Sequence, residues 1–291
     1  MKKDHNIPDK DSNIKILVSY FQPWKFPKEN IFFPIQAGKS VSGFDLGIQG
    51  DDTDENISEK NCTFSEFTAW YWAWKNIKKI YPNLEYIGIS HYRRFFALNK
   101  SFIRYPLIYK KEIPKMENYE NIIYKKLKKY DIILTRPALH DINLRTHYEN
   151  SHNKSDYLCM KEILHEKYPE YDKSWDYFFE NKIVSWFSMF ISKYELFDKY
   201  FEWLFPLLFE AEKRIDFTKY DDYQKRFIAF LAERLLNVYV IHNNLNVCHE
   251  SIYFIDNKIN SKIIILTGLK HFIKLFIPYG ILLLYGKIKN R

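Results

Sequence analysis

The stretch "YIGISHYRRFF", Tyr86 to Phe96, begins as an apolar run and ends in positive charge. Its first part, Ile87 to Ile89, is short and rich in β-branched residues, which is typical of a buried strand. A histidine, a tyrosine and two arginines follow, His91 to Arg94. In an open parallel sheet, ligands bind beyond the carboxyl ends of the strands. The stretch therefore predicts a central strand with a polar site at its end.

Segments on either side of this strand predict an alternation of strands and helices. The run Ile14 to Phe21 predicts a first buried strand, and Thr63 with Glu66 has the S/T-x-x-E spacing of a capping box at a helix start. The other elements are predicted as follows: strands at Tyr130 to Pro137 and Trp186 to Ser192, helices at Thr63 to Pro82, Tyr194 to Arg214 and Tyr220 to Asn243, and loops at Pro27 to Pro34 and Gly47 to Asn61. This order favours an α/β fold with a mainly parallel sheet and a more helical C-terminal half.

The composition indicates a folded protein with an anionic partner. The 291 residues are 46% hydrophobic, and the formal net charge is +8. A nucleic acid, an acidic membrane surface or a phosphate-bearing substrate would each suit this charge. No GxGxxG, P-loop, GxSxG or HExxH motif occurs, which argues against the enzyme classes that carry them. The cysteines Cys62, Cys159 and Cys248 and the histidines His140, His147 and His152 lack metal-site spacing. The cysteines are expected to be reduced, and the histidines to lie on the surface.

Three polar features are predicted at strand ends that face one crevice: Tyr20 to Gln22, the loop with Asp51 and Asp52, and His91 to Arg94. Two guanidinium groups suit a diphosphate, because each is planar, permanently charged and able to donate two hydrogen bonds. Both arginines can share one ligand only if the backbone has left the strand, since strand neighbours point to opposite faces. We therefore expect one arginine to bind the ligand and the other to pair with an acid such as Asp51 or Asp52. The alternative is that both form a salt-bridged edge without a ligand.

A second group of side chains lies in the predicted helix from Tyr220. Spacings of four, three, four and four residues place the following on one helix face: Asp222, Arg226, Ala229, Glu233 and Asn237. This face is either exposed to solvent and held by i,i+4 pairs, or it lines a pocket. In the pocket interpretation, Asp222 or Glu233 could take a proton from a hydroxyl group.

Four blocks of sequence resemble one bacterial family. They are "GDDTDENISEKN" from Gly50, "FSEFTAWYWAWKN" from Phe64, "YIGISHYRRFF" from Tyr86 and "YDDYQKRFIAFLAERLLNVYV" from Tyr220. The family is that of capsular or exopolysaccharide synthesis proteins with domain of unknown function 4422, and the resemblance covers about residues 15 to 254. It implies a nucleotide-sugar glycosyltransferase with a GT-A-like fold, in a family with some members associated with galactofuranose transfer. The chain departs from the family wording at Ala229 and Ala232, where glycine and serine are common.

The resemblance also implies site residues. Residues matching the family blocks on the donor side are Asp51, Asp52, Asn56, Ser58, Glu66, Trp72, Lys75 and Asn76, and those matching the later block are Asp222, Gln224, Arg226, Glu233 and Arg234. Arg93 and Arg94, together with Tyr92, would bind the donor. The two arginines would stabilise the leaving diphosphate, and His91 would orient it. Asp222 or Glu233 would be the general base if the reaction inverts the sugar configuration.

The same resemblance bears on cofactors. In many GT-A enzymes a D-x-D motif at the end of a central strand holds a divalent metal on the nucleotide diphosphate. Here the corresponding strand ends in His91, Tyr92, Arg93 and Arg94, and arginine could supply the positive charge that a metal supplies elsewhere. No cofactor is therefore expected to be required, although a divalent metal stays an alternative.

The domain prediction is one glycosyltransferase domain over residues 14 to 260, with an extension before it and a basic tail, 261 to 291, after it. Its donor-side half spans about 14 to 136 and its acceptor-side half about 137 to 260. The tail carries six basic residues and no acid around "LFIPYGILLLYG", a run too short to cross a bilayer. It either lies on an anionic membrane surface or docks on the domain as a last helix. The N-terminus shows no secretory signal.

The expected partners are a nucleotide-sugar donor, a glycan acceptor that is lipid-linked, and the cytoplasmic face of the inner membrane through the tail. No nucleic acid is expected, because the lysines are scattered among predicted helices and do not cluster with aromatic residues on one sheet. The alternative function is a non-catalytic binding protein for acidic glycan or single-stranded nucleic acid.

Overall fold

The computed structural model describes residues 13–100 and 106–257, and in these ranges it confirms the predicted α/β fold. The strands are β1 Ile14–Tyr20, β2 Phe32–Gln36, β3 Gln49–Gly50, β4 Tyr86–His91, β5 Arg94–Phe96, β6 Leu107–Lys110, β7 Ile132–Thr135, β8 Ala138–Leu139, β9 Ile183–Val184, β10 Phe190–Lys193, β11 Val247–Glu250 and β12 Ile252–Ile255. The α-helices are α1 Asn61–Phe64, α2 Phe67–Ile80, α3 Tyr119–Leu127, α4 Leu144–Ser151, α5 Lys154–Lys167, α6 Asp172–Glu180, α7 Tyr194–Arg214 and α8 Phe227–His242. Five of these helices follow residue 137, so the C-terminal half is the more helical one, as predicted.

The central sheet is mainly parallel. Its main path runs β11, β7, β10, β4, β1, β2, β3, and in this path only β10 is antiparallel to its neighbours. Strands β5, β12 and β6 extend the sheet from β4. Because β1, β2 and β4 are parallel, their carboxyl ends meet at one edge, where Ser19 lies opposite both Ile35 and His91.

Both faces of the sheet are covered, which explains why β1 is buried along its whole length. Leu17 points into the core that contains α2, α7 and α8, whereas Ile16 and Val18 point into the core that contains α3 and β12. A strand buried on both faces lacks the alternation of polar and apolar residues seen in half-exposed strands. The same reasoning applies to β4, in which Ile87 and Ile89 are buried.

The helix predicted from Thr63 is interrupted, and the predicted capping box is wrong. Ser65 adopts φ 50° and ψ −128° between α1 and α2. The Asn61 side chain donates hydrogen bonds to the carbonyl of Ser65 and the hydroxyl of Thr68, which satisfies polar groups at the break. Thr63 donates to the carbonyl of Lys60, and Glu66 makes no capping bond. The S/T-x-x-E spacing is present, but the chain does not follow one helix across it.

Other parts of the chain also differ from the prediction. Helix α8 begins at Phe227 and not at Tyr220, because Asp221 accepts a hydrogen bond from the amide of Gln224 and holds a turn there. Strand β10 begins at Phe190, after two residues with positive φ. The segment that forms strand β2 was predicted as a loop because it contains Pro34. The amide of Ala37 donates to the carbonyl of Tyr20, so odd-numbered positions of this segment form the hydrogen bonds to β1. The nitrogen of Pro34 therefore faces away from β1, and the proline does not interrupt that pairing. Helix α7 has the predicted bounds.

The predicted extension, apart from Asn13, and the basic tail lie outside the described residues, and the division into two halves stays a prediction. In the described ranges, none of the helices combines the length and apolar character needed to cross a bilayer.

Candidate active site

A cleft of about 690 Å³ opens at the edge where β1, β2 and β4 end. Among the residues that the structure describes, its charged lining consists of four cations and two carboxylates: Arg93, Arg94, Lys225, Arg226, Glu66 and Asp222. A cleft with this surplus of positive charge attracts an anionic ligand. Two of the three predicted strand-end features meet here, because Phe21 lines the cleft together with His91 to Arg94.

The two arginines stand on either side of a tight turn. Strand β4 ends at His91, Tyr92 and Arg93 form the turn, and β5 starts at Arg94, which pairs with His91. The backbone has therefore left strand β4 before the first arginine, and both side chains line the cleft. This geometry meets the condition under which the two guanidinium groups can share one ligand.

Arg94 is held by aromatic rings and not by acids. Its guanidinium carbon lies 4.4 Å from the centre of the Phe187 ring and 5.5 Å from that of Phe254. Its Nε is buried and, within the described ranges, has no hydrogen-bond partner. Burial lowers the pKa of Arg94, and the carboxylates of Glu66 and Glu233 oppose that shift. A buried, unpaired guanidinium at a cleft is a donor without an acceptor, which an anionic ligand could supply.

The prediction that one arginine pairs with Asp51 or Asp52 is wrong. The Asp51 side chain is fully buried, and its oxygens accept hydrogen bonds from the amides of Gly38 (2.7 Å) and Lys39 (3.0 Å) and from the hydroxyl of Ser58 (2.5 Å). Asp52 is exposed. Neither side chain lines the cleft.

Asp51 instead fixes the loop that forms one wall of the cleft. Gly38 lies in this wall with φ 65°, and a Cβ there would lie 2.4 Å from the Asn61 side chain, so only glycine fits. Ser58 also accepts a hydrogen bond from the amide of Ser40. Backbone amides of this loop thus bind the negatively charged Asp51 carboxylate.

The remaining predicted donor-side residues support this loop from behind. Trp72 donates to the hydroxyl of Thr53 (2.9 Å), and Asn76 donates to the carbonyl of Glu55 (2.8 Å). Asn56 accepts from the amide of Ser58, and Lys75 lies 3.6 Å from the carboxylate of Glu55. None of these four side chains lines the cleft, so their role in substrate binding stays a prediction from the family resemblance.

His91 is buried and neutral at the end of β4. Its Nε2 donates to the carbonyl of Phe187 (2.6 Å), which leaves Nδ1 to accept from the hydroxyl of Ser19 (3.4 Å). Burial lowers the pKa of His91, and the nearby Glu66 carboxylate partly offsets this effect. Its neighbour Tyr92 accepts a hydrogen bond from Gln22 (3.0 Å) and contacts the Phe21 ring edge-on. The turn is therefore fixed on both sides before any ligand binds.

The segment Ser185 to Ser188 holds the Phe187 ring in contact with Arg94. Phe187 has φ 80° and Ser188 has φ 50°, which are unfavourable for residues with a Cβ. Glu233 accepts from the amide of Phe187 (2.7 Å), and Asn237 exchanges two hydrogen bonds with Ser185. Glu233 and Asn237 are thus engaged in holding this segment, and neither side chain lines the cleft. Sequence patterns could not have identified Phe187, because its importance depends on a backbone conformation.

The other members of the later block divide between the cleft and its support. Asp222 and Arg226 line the cleft but precede α8, and Arg226 donates to the hydroxyl of Ser65 (3.0 Å). Gln224 donates to the carbonyl of Ser151 (3.0 Å) outside the cleft. Arg234 is 4% exposed and donates to Glu233 (3.0 Å). The predicted single face thus contributes only its first two members to the cleft.

Three exposed apolar side chains form one wall of the cleft, and two of them were not predicted from the sequence. They are Phe21, Val41 and Phe44, which are 59%, 58% and 42% exposed, and we call them the apolar wall. Exposed apolar side chains grouped at a cleft indicate a ligand surface. The prediction placed Phe21 at a strand end, but Val41 and Phe44 lie in a loop with no periodic pattern.

The histidines predicted at the surface are instead half-buried against aromatic rings, so that prediction is wrong. His140 accepts a hydrogen bond from Trp186 (3.1 Å), its ring lies 4.5 Å from that of His147, and His152 stacks on Phe230 at 4.0 Å. In the portion of the chain that the structure describes, no three His, Cys, Asp or Glu side chains are grouped so that they could hold a metal ion.

Comparisons with known proteins identify a family and a similar solved structure. The family model described as "Domain of unknown function (DUF4422)" matches residues 15–244. Among solved structures, the chain is similar to the apo structure of WbbM, a bifunctional glycosyltransferase, with a TM-score of 0.76 and 30% sequence identity. The match covers 84% of this chain and 46% of that one, so this chain spans about half the length of that relative. The search of curated proteins gave no match.

Proposed function

The chain belongs to the DUF4422 family, and on that premise we propose that it is a glycosyltransferase of polysaccharide synthesis that uses a nucleotide-sugar donor. The observation that carries this proposal is Arg94, whose buried Nε has no partner in the described ranges and which lines the cleft just beyond the carboxyl end of the parallel strand β4. Removing such a donor from a site where negative charge develops commonly costs a factor of about 10² to 10³ in rate.

The lining of the cleft supports a nucleoside diphosphate as the leaving group. Arg93 and Arg94 offer bidentate donors to two phosphate groups, and Lys225 and Arg226 add positive charge to the same cleft. The apolar wall lies in the same cleft and offers a surface on which a nucleobase can stack. A ligand with one flat apolar end and one doubly charged end matches both parts.

We propose that the reaction needs no divalent metal. The positive charge that would balance the departing diphosphate comes from the arginines. Among residues 13–100 and 106–257, the only carboxylates on the cleft are Glu66 and Asp222, which lie far apart in the sequence. Transfer that continues undiminished in excess EDTA is the expected result. A strict requirement for Mn²⁺ or Mg²⁺ would contradict this part of the proposal.

The finer identity of the substrates follows from the family resemblance. We propose galactofuranose as the donor sugar and a lipid-linked glycan as the acceptor, with the protein at the cytoplasmic face of the inner membrane. The basic tail, residues 261 to 291, would bind that anionic surface. Deleting the tail should move the protein from the membrane to the soluble fraction, and a deletion variant that still pellets with membranes would contradict the membrane role.

A melting-temperature screen with nucleoside diphosphates and their sugar conjugates tests the proposed donor class. A ligand that binds only the folded state stabilises it by mass action, by about 2.7 kcal/mol at one hundred times its Kd. We expect one nucleoside diphosphate to raise the melting temperature and its sugar conjugate to be consumed when acceptor is added. Flat curves for every compound would contradict the proposal.

A further inference from the structure

We propose that Glu66 is the catalytic carboxylate that accepts the proton of the acceptor hydroxyl. This inference rests on the proposed function and assigns the base to a residue other than Asp222 and Glu233. Three observations carry it: the placement of Glu66 on the cleft, the lack of a structural partner for its carboxylate, and the engagement of the two other candidates.

The backbone places Glu66 on the cleft by an interruption that a regular helix would not contain. Ser65 has φ 50° and ψ −128°, a conformation that carries strain for a residue with a Cβ. The side chain of Ser65 accepts a hydrogen bond from Arg226, which also lines the cleft, and this bond holds the interruption in place. Strained backbone that lines a cleft is typical of a functional site.

The Glu66 carboxylate has no structural task that would explain its position. It forms no hydrogen bond and no ion pair within residues 13–100 and 106–257, and it does not cap α2. It nevertheless acts electrostatically on His91 and on Arg94, and for both it is the largest charge effect from a neighbouring side chain. A carboxylate and a guanidinium therefore face the same space without touching, which leaves room for reacting groups between them.

The two other acids lack this combination. Glu233 accepts from the amide of Phe187 (2.7 Å) and binds Arg234 (3.0 Å), so both of its oxygens are engaged. The Asp222 side chain is fully exposed and pairs with Lys225 at 3.1 Å. The Asp222 carboxylate is thus engaged by a lysine, whereas the partly buried Glu66 carboxylate has no such partner in the described ranges.

The step that follows is a single displacement. The acceptor oxygen forms a bond to the anomeric carbon while the bond from that carbon to the diphosphate oxygen breaks. The bonding pair leaves with the diphosphate, whose charge Arg94 stabilises, and the hydroxyl proton passes to the carboxylate of Glu66. Attack from the side opposite the leaving group inverts the configuration of the sugar.

The test compares Glu66→Gln with Glu59→Gln, which replaces an exposed glutamate outside the cleft. We expect Glu66→Gln to lower kcat by about 10² to 10⁴ and to leave the Kd of the nucleoside diphosphate within about threefold, because general-base catalysis contributes that much. Formate should restore part of the turnover of Glu66→Ala, and the product should have inverted configuration by NMR. The Glu59→Gln variant should match the wild type.

Three outcomes would overturn the role of Glu66 alone: turnover retained in Glu66→Gln, a product with retained configuration, or a Glu66→Gln protein that fails to fold, which would make the residue structural. Rescue of Glu66→Ala by formate separates a missing base from a disturbed site, since a disturbed site gains nothing from the added carboxylate. A wild-type protein that binds no nucleoside diphosphate overturns the proposed function, and the role of Glu66 with it.

Discussion

The guanidinium carbon of Arg94 lies 4.4 Å from the centre of the Phe187 ring. Phe187 is fixed in an unfavourable backbone conformation, with φ 80°, by His91 on its carbonyl and Glu233 on its amide. An aromatic face attracts a guanidinium without neutralising its charge. The relationship therefore positions a cation at the cleft and leaves its charge available for a ligand.

Replacing Arg94 by methionine is expected to increase stability and to weaken ligand binding. Nε of Arg94 is buried without a partner in the described ranges, so its removal relieves a desolvation cost of about 1–3 kcal/mol. The same change removes charge-assisted hydrogen bonds to a diphosphate, which should weaken its binding by about 10- to 100-fold. Urea unfolding and calorimetric titration measure the two effects.

The control for this variant is Arg214→Met. Arg214 binds Glu166 at 2.5 Å and Glu210 at 2.8 Å on the surface, away from the cleft. The Arg214→Met variant should bind the nucleoside diphosphate as the wild type does, and its free energy of unfolding should not increase. A destabilised Arg94→Met protein with unchanged binding would show that Arg94 belongs to the framework and not to the site.

The strain at Ser65 can be measured by comparing Ser65→Gly with Ser65→Ala. Both variants lose the hydrogen bond from Arg226, but only glycine adopts φ 50° without strain. We expect Ser65→Gly to be more stable than Ser65→Ala by about 1–3 kcal/mol in chemical unfolding. Equal stabilities would mean that the interruption before Glu66 carries no strain.

Asp51→Asn is expected to destabilise the fold by about 2–4 kcal/mol. Its buried carboxylate accepts three hydrogen bonds, and an amide group offers one acceptor oxygen and brings two donors toward the amides of Gly38 and Lys39. The exposed neighbour provides the control, because Asp52→Asn should change the free energy of unfolding by less than about 0.5 kcal/mol. If the two variants were equally stable, the loop would not depend on Asp51.

Stability should fall between pH 6.5 and pH 4, partly through His152. Burial against Phe230 and the nearby charge of Arg234 lower the pKa of His152 to about 4 in the folded protein. The unfolded chain binds a proton at about pH 6.5, so in this window it takes up protons that the folded state does not. His152→Gln should therefore lose about 1 kcal/mol less than the wild type between pH 7 and pH 5, allowing for solvent screening. Identical losses in urea unfolding would contradict this assignment.

The sheet was largely predictable because its strands carry a signal in their own residues. Strands β1 and β4 are short β-branched runs, and the bounds of α7 follow from its long apolar periodicity. The turn at Tyr92 and Arg93 was not predictable, because it depends on the pairing of β5 with β12. Boundaries set by contacts distant in sequence leave no local pattern.

The site was only partly predictable for the same reason. The strand-end arginines were identified from charge within an apolar segment, whereas the later block was assigned to one helix face that begins only at Phe227. Because the helix is interrupted at Ser65, the Glu66 side chain makes no capping hydrogen bond and lines the cleft instead. Such a change of role follows from one backbone conformation, which composition and spacing do not specify.

Calorimetric titration of the preferred nucleoside diphosphate in excess EDTA tests the central claim most directly. Binding by the wild type, together with a loss of at least tenfold in Arg94→Met, is the result that a metal-independent diphosphate site on Arg94 predicts. Equal affinity of the two proteins, or binding by the wild type that appears only when Mn²⁺ or Mg²⁺ is restored, would contradict it.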